Sequence, residues 1–397
     1  MNSKVDIAIV GGGLVGSALA LALANDEQCQ HWSIALIDSS EANYEADLSS
    51  YDARVVALSL RSVKLLEQLG IWSELARHCA YQKMHIWDEH GTGCLNFDCA
   101  DIAQPQLGYI VENKVLLAAL TKKLAQYGQI KQWREAKLEG LDTSDQVSRL
   151  TLSDATELEA ELVVGADGAR SWLRQTLNFE TREWDYQHAA VVTTVETELP
   201  HQHCAWQRFS ANGPLAFLPL SSDDGRHRSS IVWSLVTHEA NRVMALDEAQ
   251  FNAQLEQVFE RRLGSVLHSD TRYSIALRQR SAKRYWQPGA VLVGDAAHTI
   301  HPLAGQGVNL GFYDVEVLAS ELSRAAERGL GAGEDATLRR FDRQRQPQNL
   351  ASMAAMELFK RSFASDNLGL RYVRNQALNL VDRSYLLRQW FSSAAAG

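Results

Sequence analysis

The first sixteen residues contain the feature that most restricts how this chain can fold. Lys4 to Val10 is an apolar run of strand length that leads directly into Gly11-Gly12-Gly13-Leu14-Val15-Gly16 and then a stretch rich in alanine and leucine. Gly11, Gly13 and Gly16 fit the Gly-x-Gly-x-x-Gly pattern, with the strand before it and the helix after it that the pattern requires. The first two glycines allow a tight turn and a close approach to a pyrophosphate, and the third lets helix and strand touch.

An acidic residue follows at the expected distance. Ser33 to Ile37 has the composition of a second buried strand, and it ends at Asp38, close to the ~20 positions beyond the last glycine that the pattern requires. A carboxylate there binds the 2′-hydroxyl of a ribose and repels a 2′-phosphate. The N-terminal segment therefore predicts a dinucleotide-binding unit.

Two later corners repeat this chemistry. The apolar run before Gly294 leads into Gly-Asp-Ala-Ala-His-Thr-Ile-His-Pro-Leu-Ala-Gly-Gln-Gly-Val-Asn-Leu-Gly, which ends at Gly311 where a helical pattern has begun. Asp295 can accept a hydrogen bond from a sugar hydroxyl, and the new helix directs its free N–H groups at an anion. Leu158 to Val164 likewise leads into a turn that contains Asp167 and Gly168. An ordinary glycine-rich corner is the alternative for each stretch taken alone.

Composition limits the class of protein. A chain of 397 residues exceeds one ordinary core, so two interleaved domains are expected. A net charge of -9 argues against a nucleic-acid binder. The five cysteines include no Cys-x-x-Cys pair, which favours a reduced, cytoplasmic setting without zinc. His298 and His301 lack the further ligands that a metal site needs, so no metal is expected.

The pattern of elements changes at Arg182. From there to about 282, long strands with polar alternation predict an antiparallel sheet, which the predicted hairpin of Met84 to Trp87 and Cys94 to Phe97 joins. The predicted domains are 1–82, 105–181 and 283–332 for nucleotide binding, 83–104 and 182–282 for the sheet, and 333–397 for C-terminal helices. Gly331-Ala332-Gly333 resembles another nucleotide loop but follows a helix, so a loop between helices is the prediction.

The three corners together resemble those of the FAD-dependent aromatic-ring hydroxylases of the para-hydroxybenzoate hydroxylase type. Asp167, Gly168, Ser171 and Arg174 match every fixed position of that family's Asp-Gly-x-x-Ser-x-x-Arg motif. The stretch from Gly294 to Gly311 is more narrowly similar to the ubiquinone-biosynthesis hydroxylases, as are Trp-Asp-Tyr-Gln-His at 184–188 and Ala-Phe-Leu-Pro-Leu at 216–220. The resemblance implies an α/β fold: a Rossmann-like FAD-binding domain of the glutathione-reductase type, interleaved with an antiparallel-sheet substrate domain. One departure is that the family usually has Glu where this chain has Asp38.

At the positions that match the family's motifs, the resemblance implies which residues bind each part of the cofactor. The first glycines hold the pyrophosphate, Asp38 the adenosine ribose, and Asp295 the ribityl or pyrophosphate region, while Arg54 borders the FAD path unless it is only a surface arginine. The implied cofactor-binding residues are Gly11, Gly13, Leu14, Val15, Gly16, Asp38, Arg54, Asn113, Asp167, Gly168, Asp295, Pro302, Gly305, Gln306, Gly307, Val308 and Asn309. Phe217, Pro219 and Pro302 are expected to line the substrate pocket.

The implied reaction is hydroxylation of a polyprenylated phenol or quinol in ubiquinone biosynthesis by O2 through a flavin hydroperoxide, with NADH or NADPH as a transient reductant. No protein nucleophile is expected; His188, His298 and Gln306 are candidate proton shuttles or ring anchors, with simple packing as the alternative. A lipid tail requires a membrane surface or a protein partner, which the arginine-rich C-terminal helices would suit unless they pack on the FAD domain or a second subunit. The rival functions are a flavin halogenase, a prenyl reductase or a non-catalytic FAD-binding scaffold subunit.

Overall fold

The structure is a computed structural model, which describes residues 3–41, 46–89, 93–143, 147–210, 212–299 and 307–364, without the side chains of residues 186, 356 and 358–364. Its helices are α1 (Leu14–Asn25), α2 (Leu60–Gln68), α3 (Asn113–Leu124), α4 (Trp172–Thr176), α5 (Thr237–Met244), α6 (Glu248–Val258), α7 (Gly307–Glu327) and α8 (Asp335–Ala364). Short 3₁₀ helices lie at Trp72–Glu74, Cys99–Ile102 and Gly294–Ala296.

The strands form three sheets. They are β1 (Ser3–Val10), β2 (Ile34–Ile37), β3 (Val55–Ser59), β4 (Cys79–Tyr81), β5 (Lys83–Asp88), β6 (Cys94–Asp98), β7 (Gly108–Glu112), β8 (Ile130–Trp133), β9 (Leu138–Asp142), β10 (Ser148–Leu152), β11 (Glu157–Gly165), β12 (Thr181–Thr197), β13 (Cys204–Phe209), β14 (Leu215–Pro219), β15 (His227–Val236), β16 (Val266–Ser269), β17 (Tyr273–Ala282), β18 (Trp286–Gln287), β19 (Ala290–Leu292) and β20 (His298–Thr299).

The first sheet has parallel strands at its centre, in the order β19-β11-β1-β2-β8. These strands are apolar because helices cover them, and α1 packs between α3 and α7. Helix α1 shows no polar stripe along its buried length, as expected for a helix enclosed on most sides. Antiparallel β9, β10 and β18 extend the sheet at its margins. The predicted nucleotide-binding architecture is confirmed.

The second sheet is almost entirely antiparallel, in the order β20-β17-β12-β15-β14-β13-β5-β6, with β16 beside β12. The predicted hairpin is present as β5 and β6, and β5 joins β13 in parallel. Helices α5 and α6 cover one face through Val243, Phe251 and Leu255. Neither α5 nor β16 was predicted, because both are short and their apolar positions are few.

The third sheet, β3-β7-β4, covers part of the other face of the second sheet. The sequence assigned these segments to the nucleotide-binding domain without separating them as a layer. A further difference is β20, which lies within the predicted nucleotide-binding range yet pairs with β17 of the second sheet. With that exception the strands group by sheet as the sequence expected, and on this grouping we propose the same interleaved domain division.

Helix α8 packs on the first sheet and the helices that cover it, which together are called the first unit. Leu338 and Phe341 are fully buried in the same core as the central strands. In the turn before α8, a Cβ on Gly333 would lie 2.3 Å from the carbonyl oxygen of Glu161, so glycine is required for close packing against β11. Gly331 and Gly333 therefore form a packing turn between helices, as predicted. The predicted helix from Leu368 to Trp390 lies outside the described residues.

Replacing Gly333 with Ala should lower the free energy of unfolding by about 1–3 kcal/mol, because the new methyl group would overlap backbone that cannot move away. Gly331→Ala is the matched control, since its Cβ would meet only the movable carboxylate of Glu161 at 2.8 Å. Urea denaturation of both variants measures the difference. Equal losses in both would contradict the packing assignment.

Candidate cofactor and substrate site

The first corner is shaped by backbone contact between neighbouring strands. Gly11 has a φ of 109°, and a Cβ there would lie 2.3 Å from the carbonyl oxygen of Ala166, at the end of β11. A Cβ on Gly16 would lie 1.9 Å from the carbonyl oxygen of Gly11. Gly13 differs, since a Cβ there would meet no described atom within 4 Å. Gly11 and Gly16 thus serve the fold, and Gly13 leaves open space before the N-terminus of α1.

Asp38 closes this corner from β2. One carboxylate oxygen accepts a hydrogen bond from the amide of Gly12, and the other accepts from the amide and hydroxyl of Ser40. Arg134, at the end of neighbouring β8, places its guanidinium beside Asp38 and Gly12, where it also donates to Gln132. Arg134 was not predicted, because the preceding strand Ile-Lys-Gln-Trp is short and half polar and gives no clear pattern.

The second corner connects to the third. Oδ2 of Asp167 accepts from the amide of Leu173 at 3.1 Å, and Ser171 caps α4 by accepting from the amide of Arg174. The buried guanidinium of Arg174 donates to the carbonyl oxygens of Ala169 and Ala296, at 2.8 and 2.7 Å. Arg174 therefore has a structural role, and burial lowers its pKa.

The third corner is organised around the buried carboxylate of Asp314 on α7. Its Oδ2 accepts from the amide of Gly294 at 2.9 Å and lies 2.6 Å from Nε2 of His298, while Oδ1 accepts from Nε of Arg345 at 2.8 Å. Burial alone would raise the pKa of Asp314, but the neighbouring His298 and Arg345 outweigh it and hold that pKa below its usual value. Asp314 and Arg345 were not predicted as part of the site.

Asp295 and Asn309 behave differently within this corner. Asp295 is exposed, and the surrounding protein raises the pKa of its carboxyl group. The side chain of Asn309 is bound internally: its amide donates to the carbonyl of Ala57, and its oxygen accepts from Ser59 and Ser62. An FAD contact from Asn309 would therefore use its backbone. Pro302, Gly305 and Gln306 lie outside the described residues, while Gly307 and Val308 begin α7.

The two candidate proton shuttles within the described ranges, His188 and His298, lie on different strands of the second sheet. His298 is buried against Asp314, and its Nδ1 has no hydrogen-bond partner among the residues that the structure describes. His188 lies on β12, opposite Val236 and Leu277. Gln306 and His301 fall outside the described ranges. Within those ranges, no three His, Cys, Asp or Glu side chains are placed to hold a metal ion.

A cleft of about 1480 Å³ opens between the first unit and the second sheet. Segment 49–54, Lys114 and segment 169–170 line one side, and β12, β15 and β17 line the other. Seven cations line the described part of the cleft, but four of them already pair with carboxylates: Arg226 and Arg228 with Glu196 and Asp224, Arg278 with Asp185, and Arg280 with Glu183. The other three form no ion pair with a described residue, which leaves them available to an anionic ligand. The cations are Arg54, Lys114, Arg170, Arg226, Arg228, Arg278 and Arg280.

A second, apolar cavity lies between the third sheet and strands β5, β13 and β14. Ala57, Tyr81, Ile110, Ala216 and Leu218 are among its lining residues. Phe217 and Pro219 are not among the residues that line this cavity, and their place in a substrate pocket stays a prediction. Because side chains alternate along a strand, Phe217 points to the opposite face and stacks on Phe259, with ring centroids 3.7 Å apart.

The residues present fit an FAD molecule. Oδ1 of Asp167 and Oδ1 of Asn113 are both buried and without a hydrogen-bond partner in the described part of the chain. Unsatisfied buried acceptors are rare, and each can receive a ligand hydroxyl or N–H group. Gly13 and Gly168 leave open space where a Cβ would stand. These four positions were all predicted to contact the cofactor, and their contact with it stays a prediction.

This combination of a parallel sheet with three glycine–aspartate corners and a cationic cleft defines a flavin-dependent oxidoreductase. A family model described as "FAD binding domain" matches residues 4–355. The chain is 37% identical over 400 residues to 3-demethoxyubiquinol 3-hydroxylase of Escherichia coli K12, which covers 100% of this chain and 99% of that protein. It is 34% identical to mouse mitochondrial ubiquinone biosynthesis monooxygenase COQ6, covering 96% of this chain and 89% of that protein.

The fold is also that of p-nitrophenol 4-monooxygenase PnpA from Pseudomonas putida DLL-E4, with a TM-score of 0.81 and 18% identity over 99% of this chain and 98% of that chain. The chain belongs to the FAD-dependent aromatic hydroxylases, in the ubiquinone-biosynthesis hydroxylase family. It is a flavin monooxygenase, as the resemblance predicted. The names of its relatives support this prediction and not the halogenase, reductase or scaffold alternatives.

Gly13→Ala should weaken FAD binding by at least tenfold while the apoprotein keeps its thermal stability, because the added methyl group enters open space meant for the ligand. Gly16→Ala should instead destabilise the apoprotein, because its Cβ would overlap the carbonyl of Gly11. Flavin fluorescence titration and thermal unfolding of the apoprotein measure the two effects. Undiminished FAD affinity in Gly13→Ala would contradict the placement.

Arg345→Met should lower the free energy of unfolding by about 3–5 kcal/mol at pH 7, because it leaves the buried Asp314 carboxylate without its cation. Since the pKa of Asp314 is lowered in the folded state, its stabilising contribution is present above about pH 3.8 and is lost as the pH falls through the folded pKa. The difference in the free energy of unfolding between variant and wild type should therefore become smaller as the pH falls. Arg324→Ala is the control and should cost about 1 kcal/mol or less, because Arg324 is exposed and its partner, the buried Glu321, keeps Arg340 and Gln344. A pH-independent difference would contradict this account.

Proposed function

We propose that this protein hydroxylates the aromatic ring of a polyprenylated phenol or quinol in ubiquinone biosynthesis, with FAD as cofactor, O2 as oxygen donor and NAD(P)H as reductant. The full-length relatives are named for ubiquinone hydroxylation, which supports this substrate class. The single observation that carries the proposal is the apolar cavity beside the first turn of α7, where Asn309 is a lining residue. The cavity lies next to the corner assigned to the flavin, and its apolar lining suits an aromatic ring once it widens to admit one.

FAD supplies, when bound, the redox chemistry that activates O2, and the protein residues bind and orient the reactants. The open position at Gly13 and the N-terminus of α1 are suited to the pyrophosphate, with Asp38 toward the adenosine ribose. Asp167 and Asn113 offer acceptors to the cofactor's hydroxyl or N–H groups. Asp295 is assigned to the ribityl region. The N-terminus of α7 favours negative charge on the flavin, by roughly 0.3–1 kcal/mol when exposed and up to ~2 kcal/mol when partly buried.

NAD(P)H is proposed to dock in the cationic cleft. Arg170 is exposed at the second corner, and Arg278 lies across the cleft on β17. The phosphate groups of NAD(P)H carry several negative charges, which such cations neutralise. One arginine guanidinium can bind two oxygens of a phosphate at once. The cleft also contains the exposed Tyr273, a flat surface on which a nicotinamide or adenine ring can stack.

The polyprenyl tail requires contact with a membrane surface or a partner protein. In the described part of the chain, no helix is long and apolar enough to cross a bilayer. Helix α8 packs on the first unit through Leu338 and Phe341, so its described face is already covered. We therefore propose peripheral association, by a surface other than that face of α8, in a cytoplasmic setting. Assembly into a homo-oligomer or a ubiquinone-biosynthesis complex remains part of the same proposal.

The test is anaerobic stopped-flow reduction of the FAD-loaded protein by NADH and by NADPH, with and without a short-tailed prenylphenol, followed by mixing with O2. The expected result is faster flavin reduction in the presence of the phenol and a hydroxylated product. Arg170→Ala should slow reduction at limiting nucleotide about tenfold with FAD binding unchanged, because it removes a charge-assisted phosphate contact. Lys64→Ala, on a separate groove between α1, α2 and α7, is the matched control.

Reduction that yields only hydrogen peroxide with every prenylphenol would overturn the substrate proposal. If neither NADH nor NADPH reduces the flavin, the NAD(P)H proposal is overturned. An unchanged rate in Arg170→Ala would move the nucleotide out of the cationic cleft.

A further inference from the structure

The apolar cavity contains two polar side chains that are buried yet form no hydrogen bond with any residue in the described ranges. Tyr81 is 5% exposed and Gln207 is 8% exposed, and both line the cavity. The other polar lining residue, Asn309, already bonds internally through its side chain. A hydroxyl and an amide that have no protein partner and belong to residues lining one apolar cavity can hydrogen-bond a ligand that enters it.

Tyr81 is held in place by its packing. It ends β4, and its Cα pairs with that of Gly108 on β7. A Cβ on Gly108 would lie 2.7 Å from the hydroxyl oxygen of Tyr81, so the absence of a side chain there makes room for the hydroxyl. Burial raises the pKa of Tyr81 to about 12, which keeps the hydroxyl protonated and able to donate.

Gln207 reaches the cavity because of strand alternation. It lies on β13 between Ala205 and Phe209, whose side chains pack in the same apolar cluster around the cavity. The next residue, Arg208, points away and pairs with Glu89 at 3.0 Å. Across the sheet, Gln207 pairs with Ala216, whose small side chain leaves space before the amide. An amide at this position both donates and accepts.

The cavity adjoins the third corner directly. Nδ2 of Asn309, in the first turn of α7, donates to the carbonyl of Ala57 at 2.8 Å, and both residues line the cavity. Any ring bound here would therefore lie against the helix that begins where the glycine-rich loop ends. This places the two polar groups within the site proposed for substrate.

We propose that Tyr81 and Gln207 are the polar anchors of the aromatic substrate, which hydrogen-bond the oxygen substituents of its ring and fix its orientation toward the flavin. This inference rests on the proposed function and adds the residues that orient the ring. A ring that fills the apolar cavity leaves no room for water, so each hydrogen bond then discriminates strongly between a ring with an oxygen and a ring without one.

Entry of a ring requires the cavity to widen. Its present volume is about 30 Å³, which suits a water molecule and is too small for a phenol. Met84 is partly buried and forms part of the wall, and its unbranched side chain can adopt other rotamers. Met84 also provides a control position, because it touches the cavity without offering a strong hydrogen bond.

The experiment compares the binding of 2-prenylphenol and of prenylbenzene to the FAD-loaded protein, followed by the change in flavin absorbance. The wild type should prefer the phenol by about tenfold or more, since one hydrogen bond to a buried partner is worth roughly that factor. Tyr81→Phe and Gln207→Leu should each reduce this preference about five- to tenfold and leave prenylbenzene affinity nearly unchanged. In both, more of the consumed O2 should appear as hydrogen peroxide. Met84→Leu should keep the preference.

FAD content and the rate of reduction by NAD(P)H establish that each variant is folded. Loss of affinity for phenol and hydrocarbon alike, or a preference that survives in both variants, would overturn the anchoring roles. A wild type without any preference for the phenol would overturn them as well. A wild type that prefers the phenol but never hydroxylates it would instead contradict the proposed function and leave the anchors supported.

Discussion

The buried carboxylate of Asp314 is the interaction on which the cofactor corner depends. Removal of a carboxylate from water is costly unless donors surround it, and here the donors come from three separate segments. They are the amide of Gly294 after β19, the ring of His298 on β20 and the guanidinium of Arg345 on α8. The Asp314 carboxylate on α7 therefore links the first sheet, the second sheet and α8 at a single point. Since Arg345 supplies the cation, α8 is part of the cofactor-binding unit.

The three glycine–aspartate corners meet because their strands are parallel neighbours. Strands β1, β11 and β19 lie side by side, so their carboxyl ends reach the same edge of the sheet, where ligands bind in folds of this type. Direct contacts join the corners: Gly11 approaches the backbone of Ala166, and Arg174 donates to the carbonyl of Ala296. Segments more than a hundred residues apart thus form one continuous surface.

Local patterns in the sequence were sufficient to predict the three corners, since each has glycine and aspartate at fixed spacing after an apolar strand. Contacts between segments far apart in the sequence could not be predicted from such local patterns. Arg345 follows the third corner by a whole helix and a turn, and nothing in its own neighbourhood marks it as a partner of Asp314. The face to which Phe217 points could not be predicted for another reason: β14 is buried on both faces, so apolar residues occupy every position and alternation cannot show which side faces the cavity.

The second sheet separates ligands of opposite character. Strands β15 and β17 present arginines to the cleft proposed for NAD(P)H, while β13 and β14 enclose the apolar cavity with the third sheet. The stretch from Gly294 to Gly311 borders both spaces, because Thr299 lines the cleft and Asn309 lines the cavity. A flavin held along this stretch has the reductant's proposed cleft on one side and the substrate's proposed cavity on the other. On this proposed assignment, a water-soluble nucleotide and a lipid-like ring would reach one cofactor without competing for one entrance.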